Sequence, residues 1–192
     1  WIAKMKACIR QVAPRFNTNR MLAEYARRFY APAAARYNYL ASDTMDRARA
    51  FAQWKSHIRR TWSDLAIKQV EVTMNSNNGG GNAEEQLNPR QPQLKVGSEL
   101  TIRALVRLGQ VEPQDVAVEV YHGPTDSWGN IREGFAIRMD HEQQAGDNGD
   151  HWFCGRMECR TTGQHGVAVR VLPNHPDQSH PYELGLVLWE KS

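Results

Sequence analysis

The spacing of apolar residues changes once along this chain, close to Trp62, and the change divides its 192 residues into two kinds of structure. Before Trp62, apolar side chains recur every three or four positions, which is the period of an amphipathic helix. After it, they recur at every second position, as in a strand with one buried face. The sequence therefore predicts an α+β chain, with a short helical segment over residues 1–65 and a β-sheet unit over residues 66–192.

Three helices are predicted in the first segment. The first covers about residues 1–12, and Pro14 ends it because the residue before a proline is pushed out of the α-helical region. The second covers about residues 18–28 or beyond, and Pro32 interrupts or ends it. The third is the clearest, since a capping residue at 42 or 43 precedes a regular stripe. That stripe consists of Met45, Ala48, Phe51, Ala52, Lys55, Ile58 and Trp62.

Short strands separated by turn signals such as Gly123-Pro124 are predicted after residue 66. Six or seven strands at this spacing are typical of an antiparallel, immunoglobulin-like β-sandwich. A polar Asn- and Gly-rich stretch interrupts them, and we predict a disordered loop over residues 75–91. The predicted strands cover residues 67–72, 100–108, 116–121, 135–139, 151–159, 167–172 and 186–189.

Charge, cysteine content and hydropathy indicate where in the cell this chain is found. The net charge of +3 conceals an asymmetry, because residues 1–66 hold 13 Lys and Arg but only four Asp and Glu. Three cysteines, an odd number, favour reduced thiols and a cytoplasmic location. No apolar run reaches the roughly 18 residues of a membrane span, and no secretory signal opens the chain. A membrane is therefore not expected among its partners.

The chain opens with a W-x-x-K-M helix, which is followed by a basic cap containing Phe and by an E-Y-A helix. The residues of this pattern are Trp1, Lys4, Met5, Arg15, Phe16, Arg20, Glu24, Tyr25 and Ala26. The pattern resembles the last helices of the α-glucan phosphorylases, which act on glycogen, starch and maltodextrin. The family usually has S-S-D at residues 17–19, where Asn-Thr-Asn keeps the capacity to cap a helix. Residues 166–176 and 181–189 are similar to the closing segment of a bacterial subgroup of this family.

The resemblance implies a parent enzyme that converts α-1,4-glucan and phosphate to α-glucose 1-phosphate, with pyridoxal phosphate bound to a lysine. The family's motif for that lysine, E-A-S-G-T-x-N-M-K, does not occur in these 192 residues. A start inside a helical pattern also suggests a fragment. We therefore expect a C-terminal fragment without catalytic, cofactor-binding or metal residues. Its helices 1–65 would pack on the phosphorylase body, the unit 66–192 would be an extension, and the parent would be a homo-oligomer.

Two tryptophans are candidates for contact with a glucan. Sugar CH groups stack on aromatic faces, and Trp128 lies in a turn-rich stretch where its ring can be exposed. Trp152 is the weaker candidate, because its strand should bury one face. The alternative interpretation makes Trp128 a loop anchor and places Trp152 and Trp189 in the core.

A metal site and a nucleic-acid surface are also conceivable from the sequence, but plainer interpretations compete. The segment 175–181 contains two His and one Asp, which suit zinc, yet its prolines fit a rigid loop equally well. Cys154 and Cys159 are five residues apart, so a strand would point them to opposite faces. Paired arginines at 27–28, 47–49 and 59–60 have the sign needed for phosphates. No nucleic-acid motif accompanies these arginines, and a solvated or interdomain face is the expected role.

Three functions remain open. The first is the non-catalytic C-terminal region of an α-glucan phosphorylase, serving assembly, stability or regulation. The second is an α-glucan-binding β-sandwich, and the third is a protein-interaction module. We also predict that residues 66–192 fold alone whereas residues 1–65 do not, because only the former can close a core of their own.

Overall fold

The computed structural model describes residues 1–75, 84–87, 99–145, 149–158 and 165–190. Across these ranges the chain is α+β, with four α-helices followed by two antiparallel sheets. It divides into two compact units, residues 1–54, here called the helical unit, and residues 55–192, here called the sheet unit. The loop predicted over 75–91 lies mostly outside the described residues, and so does Cys159. The domain boundary predicted at residue 65 stays a prediction.

The first two helices form where the sequence predicts them. Helix α1 covers Ile2–Gln11 and helix α2 covers Thr18–Tyr25. Asn17 caps α2, because its side-chain oxygen accepts a hydrogen bond of 2.8 Å from the backbone N–H of Arg20. The capping function inferred for the Asn-Thr-Asn stretch is therefore confirmed.

Pro32 does not end the second helix. A π-helical turn, Ala26–Tyr30, joins α2 directly to helix α3, Ala31–Ala41. Pro32 lies in the first turn of α3, where its missing N–H and fixed φ are tolerated. Helix α3 was not predicted as a separate element, because a proline is expected to interrupt or end a helix.

The third predicted helix begins later than expected. Thr44 and Met45 have positive φ angles of 57° and 67°, so the backbone leaves the helical conformation before helix α4, Asp46–Thr61. The hydroxyl of Ser42 donates to the carbonyl of Tyr39 and so closes the end of α3. Met45 therefore does not belong to the helical stripe. The stripe does bury Phe51 and Ile58.

The larger sheet has five strands in the order β2-β1-β3-β7-β6. Its strands are β1 Ala66–Asn75, β2 Glu84–Leu87, β3 Glu99–Arg107, β6 Asp140–Gln144 and β7 Asp150–Glu158. The alternation predicted for residues 100–108 is confirmed, because every second side chain of β3 is fully buried. Strands β2 and β6 were not predicted, since polar sequences form both.

The smaller sheet has four strands in the order β5-β4-β8-β9. Its strands are β4 Val116–Pro124, β5 Phe135–Arg138, β8 His165–Pro173 and β9 Leu188–Trp189. The valines of β4 and β8 at 118, 120, 169 and 171 are buried. They alternate with Glu119, Tyr121 and Arg170, which therefore belong to the outer face.

The inner faces of the two sheets meet in one core. A Cβ added at Gly155 of β7 would come within 3.3 Å of Val120 on β4, so the sheets approach closely there. The chain passes from one sheet to the other at Met139, which is 3% exposed and separates β5 from β6. Among the described residues, the helices are too short or too polar to cross a membrane.

Candidate functional site

Trp128 lies in the connection from β4 to β5, and 85% of its surface is exposed. Asp126 organises the turn by accepting hydrogen bonds of 2.9 Å from the backbone N–H groups of Trp128 and Asn130. Arg132 adds a contact of 3.0 Å to the same carboxylate. The hydrogen bond from Asn130 is the main reason why the pKa of Asp126 is lowered. The backbone that carries the indole is thus ordered while its ring faces solvent.

Trp152, a predicted glucan contact, lies on the outer face of the five-stranded sheet, so the alternative interpretation that placed it in the core is wrong. It alternates along β7 with the buried Phe153, and it is half-buried. The guanidinium of Arg103 lies 4.7 Å from the centre of its ring and occupies one face. Glu142 holds Arg103 through a contact of 2.7 Å, and their hydrogen bond raises the pKa of Arg103. The two predicted glucan contacts belong to different sheets.

A cluster that the sequence analysis did not find occupies the outer face of the four-stranded sheet. Glu119 on β4 lies opposite Arg170 on β8, and Arg170 lies opposite Trp189 on β9. Strand register therefore places these three side chains in one row across the sheet. We call this group the Arg170 cluster, and it consists of Glu119, Tyr121, Arg170, Tyr182 and Trp189.

The guanidinium of Arg170 is the centre of the cluster. Its Nε and Nη2 atoms donate to Oε2 of Glu119 at 2.8 and 2.7 Å. Only 8% of Arg170 is exposed, so this pairing compensates a charge that is largely removed from water. Three ring centres surround the guanidinium, at 4.9 Å for Tyr121, 5.5 Å for Trp189 and 5.7 Å for Tyr182. Each such cation–π contact contributes on the order of 0.5–2 kcal/mol.

Aromatic packing fixes the rings further. Tyr121 and Trp189 meet edge to face, with ring centres 5.6 Å apart and planes at 76°. A Cβ on Gly134 would overlap the ring of Tyr121, so the β4–β5 connection packs directly on that ring. Tyr182 and Trp189 nevertheless remain 50% and 43% exposed. The alternative interpretation that placed Trp189 in the core is therefore wrong.

The segment that carries Tyr182 is an ordered loop. Glu183 accepts hydrogen bonds of 2.8 and 2.9 Å from the backbone and hydroxyl of Ser179, and Lys55 lies 3.4 Å away. Burial alone would raise the pKa of Glu183, but Ser179 and Lys55 together hold it below its usual value. These contacts keep Tyr182 beside Arg170.

The same loop contains the residues considered for zinc. His175 uses Nδ1 to accept a hydrogen bond of 3.0 Å from the backbone N–H of Asp177, as expected for a rigid turn. In the described part of the chain, no three His, Cys, Asp or Glu side chains lie close enough together to hold a metal ion. The geometry of this segment therefore favours the loop interpretation.

Two further groups of titratable side chains lie on the five-stranded sheet. Nε2 of His141 and Nδ1 of His151 are 3.0 Å apart, and burial, followed by the effect of His141, lowers the pKa of His151. Cys154 is half-buried, and burial, together with the nearby Glu142, raises the pKa of its thiol. A thiol with a raised pKa is a poor nucleophile at neutral pH.

The basic helices were considered as a surface for nucleic acid. Arg49 lies 3.0 Å from Asp46, and Arg28 lies 3.9 Å from Glu24, so both cations have acidic neighbours on the same helix. The guanidinium of Arg47 lies 4.0 Å from the centre of the Tyr39 ring. These local pairings suit a solvated helix face.

A sequence model described as the glycogen phosphorylase C-terminal domain matches residues 62–191. The chain belongs to this family. Maltodextrin phosphorylase of Thermococcus litoralis is 30% identical over 195 residues, a match that covers 99% of this chain and 20% of that protein. Glycogen phosphorylases of Mycobacterium bovis and Mycobacterium tuberculosis are 30% identical over 187 residues, covering 97% of this chain and 20% of each relative. No solved structure matches this chain significantly.

These matches together cover both units of the phosphorylase-family chain. The family match includes every member of the Arg170 cluster as well as Trp128 and Trp152. The relatives cover nearly all of the chain, and therefore also its helical unit. The chain itself spans about one fifth of the length of these relatives.

Proposed function

We propose that this chain is the non-catalytic C-terminal region of an α-glucan phosphorylase, serving assembly, stability or regulation. The observation that carries the proposal is the similarity over 97–99% of the chain to phosphorylases of which it covers only 20%. The parent reaction would be phosphorolysis of α-1,4-glucan to α-glucose 1-phosphate. Pyridoxal phosphate supplies the phosphate group that assists this reaction, and its lysine motif is absent from these residues. We therefore assign no catalytic step to them.

The helical unit would join the chain to the remainder of the phosphorylase. None of the residues of α1, α2 or α3 is buried, although these helices contain many large apolar side chains. Ile2, Leu22 and Phe29 are each more than half exposed. Apolar side chains on this scale mark a surface that is covered in the functional protein. The occupant we propose is the phosphorylase body, which the relatives possess and this chain does not span.

The β-sheet unit would be an immunoglobulin-like sandwich appended to that body. Two antiparallel sheets with a common core, and a chain that passes from one sheet to the other at Met139, support this architecture. A sandwich of this kind offers edges for assembly, and strand β6 is an edge of the five-stranded sheet with all five residues exposed. The parent would be a homo-oligomer in the cytoplasm, where the thiols of Cys8 and Cys154 stay reduced.

Reconstitution tests this proposal. The 192-residue chain and the rest of its gene product, expressed as separate polypeptides, should give phosphorolysis of maltoheptaose only when they are combined. Tyr25→Asp on the exposed helical face should weaken the reconstitution, whereas Glu158→Gln, on an exposed end of β7, should not. Release of α-glucose 1-phosphate by the 192-residue chain alone would contradict the proposal, and so would a full gene product without phosphorolysis.

Glucan binding through Trp128 is the second candidate function, because its indole is 85% exposed on a turn that Asp126 holds in place. Trp152 supports this function less well, because its side chain is much less exposed than that of Trp128. Binding of maltooligosaccharides by the chain, reduced in Trp128→Ala and unaffected in Trp152→Ala, would establish it. Equal affinity in Trp128→Ala and the unchanged chain would reject it.

A further inference from the structure

We propose that the Arg170 cluster is an α-glucan-binding surface, with Tyr182 and Trp189 as the rings on which sugar units stack. This inference rests on the proposed function, because membership of the phosphorylase family supplies the class of ligand. It assigns binding to residues other than Trp128 and Trp152. Four members of the cluster lie on strands of the sheet, and the hydrogen bonds from Ser179 to Glu183 hold the loop that carries Tyr182.

Rigid aromatic rings are the first requirement for such a surface. A ligand that stacks on a mobile side chain must first restrict its rotamers, which costs about 0.5–1.5 kcal/mol for each side chain. In the cluster, the ring centres of Tyr182 and Trp189 lie 5.7 and 5.5 Å from the buried guanidinium of Arg170. The ring of Tyr121 also packs edge to face against Trp189. Both rings therefore keep one side against Arg170 and leave about half of their surface to solvent.

Charge indicates which ligand suits these rings. The guanidinium of Arg170 is matched by Glu119 at 2.7 Å, and Lys55 is matched by Glu183 at 3.4 Å in the adjoining loop. Paired charges leave little net attraction for a phosphate or another anion. A neutral ligand rich in hydroxyl groups is the better complement, because the tyrosine hydroxyl and the indole N–H can both hydrogen bond at the rim of the rings.

The class of ligand follows from these two properties together. A pyranose presents CH groups to an aromatic face and hydroxyl groups at its edge, and it carries no charge. An α-glucan repeats this unit and can therefore use two neighbouring rings at once. Phe135, which is 68% exposed on β5 of the same sheet, offers a single ring and is a matched control. Binding at the cluster would hold the polymer on the sheet unit, away from any chemistry of the parent enzyme.

Binding of maltoheptaose to the 192-residue chain, measured by isothermal titration calorimetry, tests the inference. We expect Trp189→Ala to weaken binding by about tenfold, as for the loss of a buried aromatic contact. Tyr182→Ala should weaken it by about fivefold, whereas Tyr182→Phe, which keeps the ring, should change it less than about twofold. Phe135→Ala should leave the affinity unchanged. Thermal melts of each variant report whether the sheet unit remains folded.

Several results would overturn the inference. The first is an absence of binding by the unchanged chain, and the second is unchanged affinity in both Trp189→Ala and Tyr182→Ala. The third is a loss of affinity in Trp128→Ala alone. A change in oligomeric state in Trp189→Ala with unaltered glucan affinity would make the cluster a protein interface instead. If Trp189→Ala fails to melt cooperatively, the glucan affinity of Tyr182→Ala tests the inference in its place. Tyr182 is 50% exposed, so its loss leaves the core intact.

Phosphorolysis by the full gene product separates this inference from the proposed function. An active phosphorylase whose C-terminal chain does not bind maltoheptaose would overturn the inference alone. Binding at the cluster in a gene product without phosphorolysis would overturn the proposed function and leave the binding site established.

Discussion

The helical unit and the sheet unit use the same kinds of apolar side chain in opposite ways. In the helical unit, Trp1 is 90% exposed, Phe16 is 75% exposed and Leu22 is 59% exposed. In the sheet unit, Leu100 and Ile102 are fully buried. Composition alone thus does not determine burial in this chain. The difference lies in whether a segment has a second apolar layer to pack against.

This contrast has a physical basis. Each sheet has one apolar face, and the two faces cover each other to form a core. Helices α1 to α3 have apolar stripes without any buried residue. Isolated helices of about ten residues are marginal in water, because most helical stability in proteins comes from packing of the apolar face. We therefore expect the helical unit to depend on a partner surface, whereas the sheet unit has a core of its own.

Cutting the chain should give the largest effect. We expect residues 66–192 to melt cooperatively and residues 1–65 to show little stable structure, because only the former contain two layers. A piece covering 55–192 should be more stable than 66–192, since it restores the buried Ile58 and Leu65. Circular dichroism during heating measures all three pieces. A cooperative melt of 1–65 would contradict the comparison.

A matched pair of leucines should give the next largest effect. Leu100→Ala removes a fully buried side chain and should destabilise the sheet unit by about 2–5 kcal/mol. Leu22→Ala, at a side chain that is 59% exposed, should change stability by less than about 0.5 kcal/mol. Urea unfolding, followed in the near-ultraviolet, measures both variants. Similar losses in the two variants would show that the helices close a core of their own.

Removal of a helix cap should give a smaller and local effect. Asn17→Ala deletes the hydrogen bond to the N–H of Arg20 and should destabilise α2 by about 1 kcal/mol. Helicity at 222 nm should fall, while the melting temperature of the sheet unit should stay the same. Asn130→Ala, on the exposed β4–β5 connection, is the control. A lower melting temperature of the sheet unit in Asn17→Ala would mean that the two units depend on each other.

Acidification should give the smallest effect. Burial lowers the pKa of His151 in the folded state, and the same holds for His122. The unfolded chain then binds more protons near pH 6, so the sheet unit is most stable above the ordinary histidine pKa of about 6.5 and loses stability as the pH falls below it. Glu112 and Asp150 oppose the shift at His151. As the pH is lowered from 8 to 5, the melting temperature should fall less steeply in His151→Gln than in the unchanged chain. Equal slopes would show that His151 does not contribute to the loss of stability in acid.

The sequence predicted those features that depend on local spacing. Strand β3 was found because alternation from residue 100 to residue 108 is a property of neighbouring residues. The Arg170 cluster was missed because it requires three strands in register and a loop that returns Tyr182 to the sheet. A signal was present, since Arg170 is a lone charge within the apolar run of β8. An arginine at such a position needs a buried partner, and a search for that partner leads to Glu119 on β4.

In the helical unit, the sequence predicts local structure but not the surface that covers it. Its stripes were recognised, but a stripe gives no information on what covers it. The π-helical turn at Ala26–Tyr30 was also missed, because it carries the helix into Pro32 without any break in composition. Local rules thus located three of the four α-helices, but they missed α3 and placed the start of α4 too early.

The contrast between the exposed helices and the closed sheet core is tested most directly by amide hydrogen exchange. Exchange is measured in the 192-residue chain alone and in the same residues within the full gene product. We predict that amides of α1 to α3 exchange at least about tenfold more slowly in the full product, because the partner surface then covers their apolar faces. Amides of β3, β4 and β8 should exchange at the same rate in both. Equal exchange of α1 to α3 in the two forms would contradict the account.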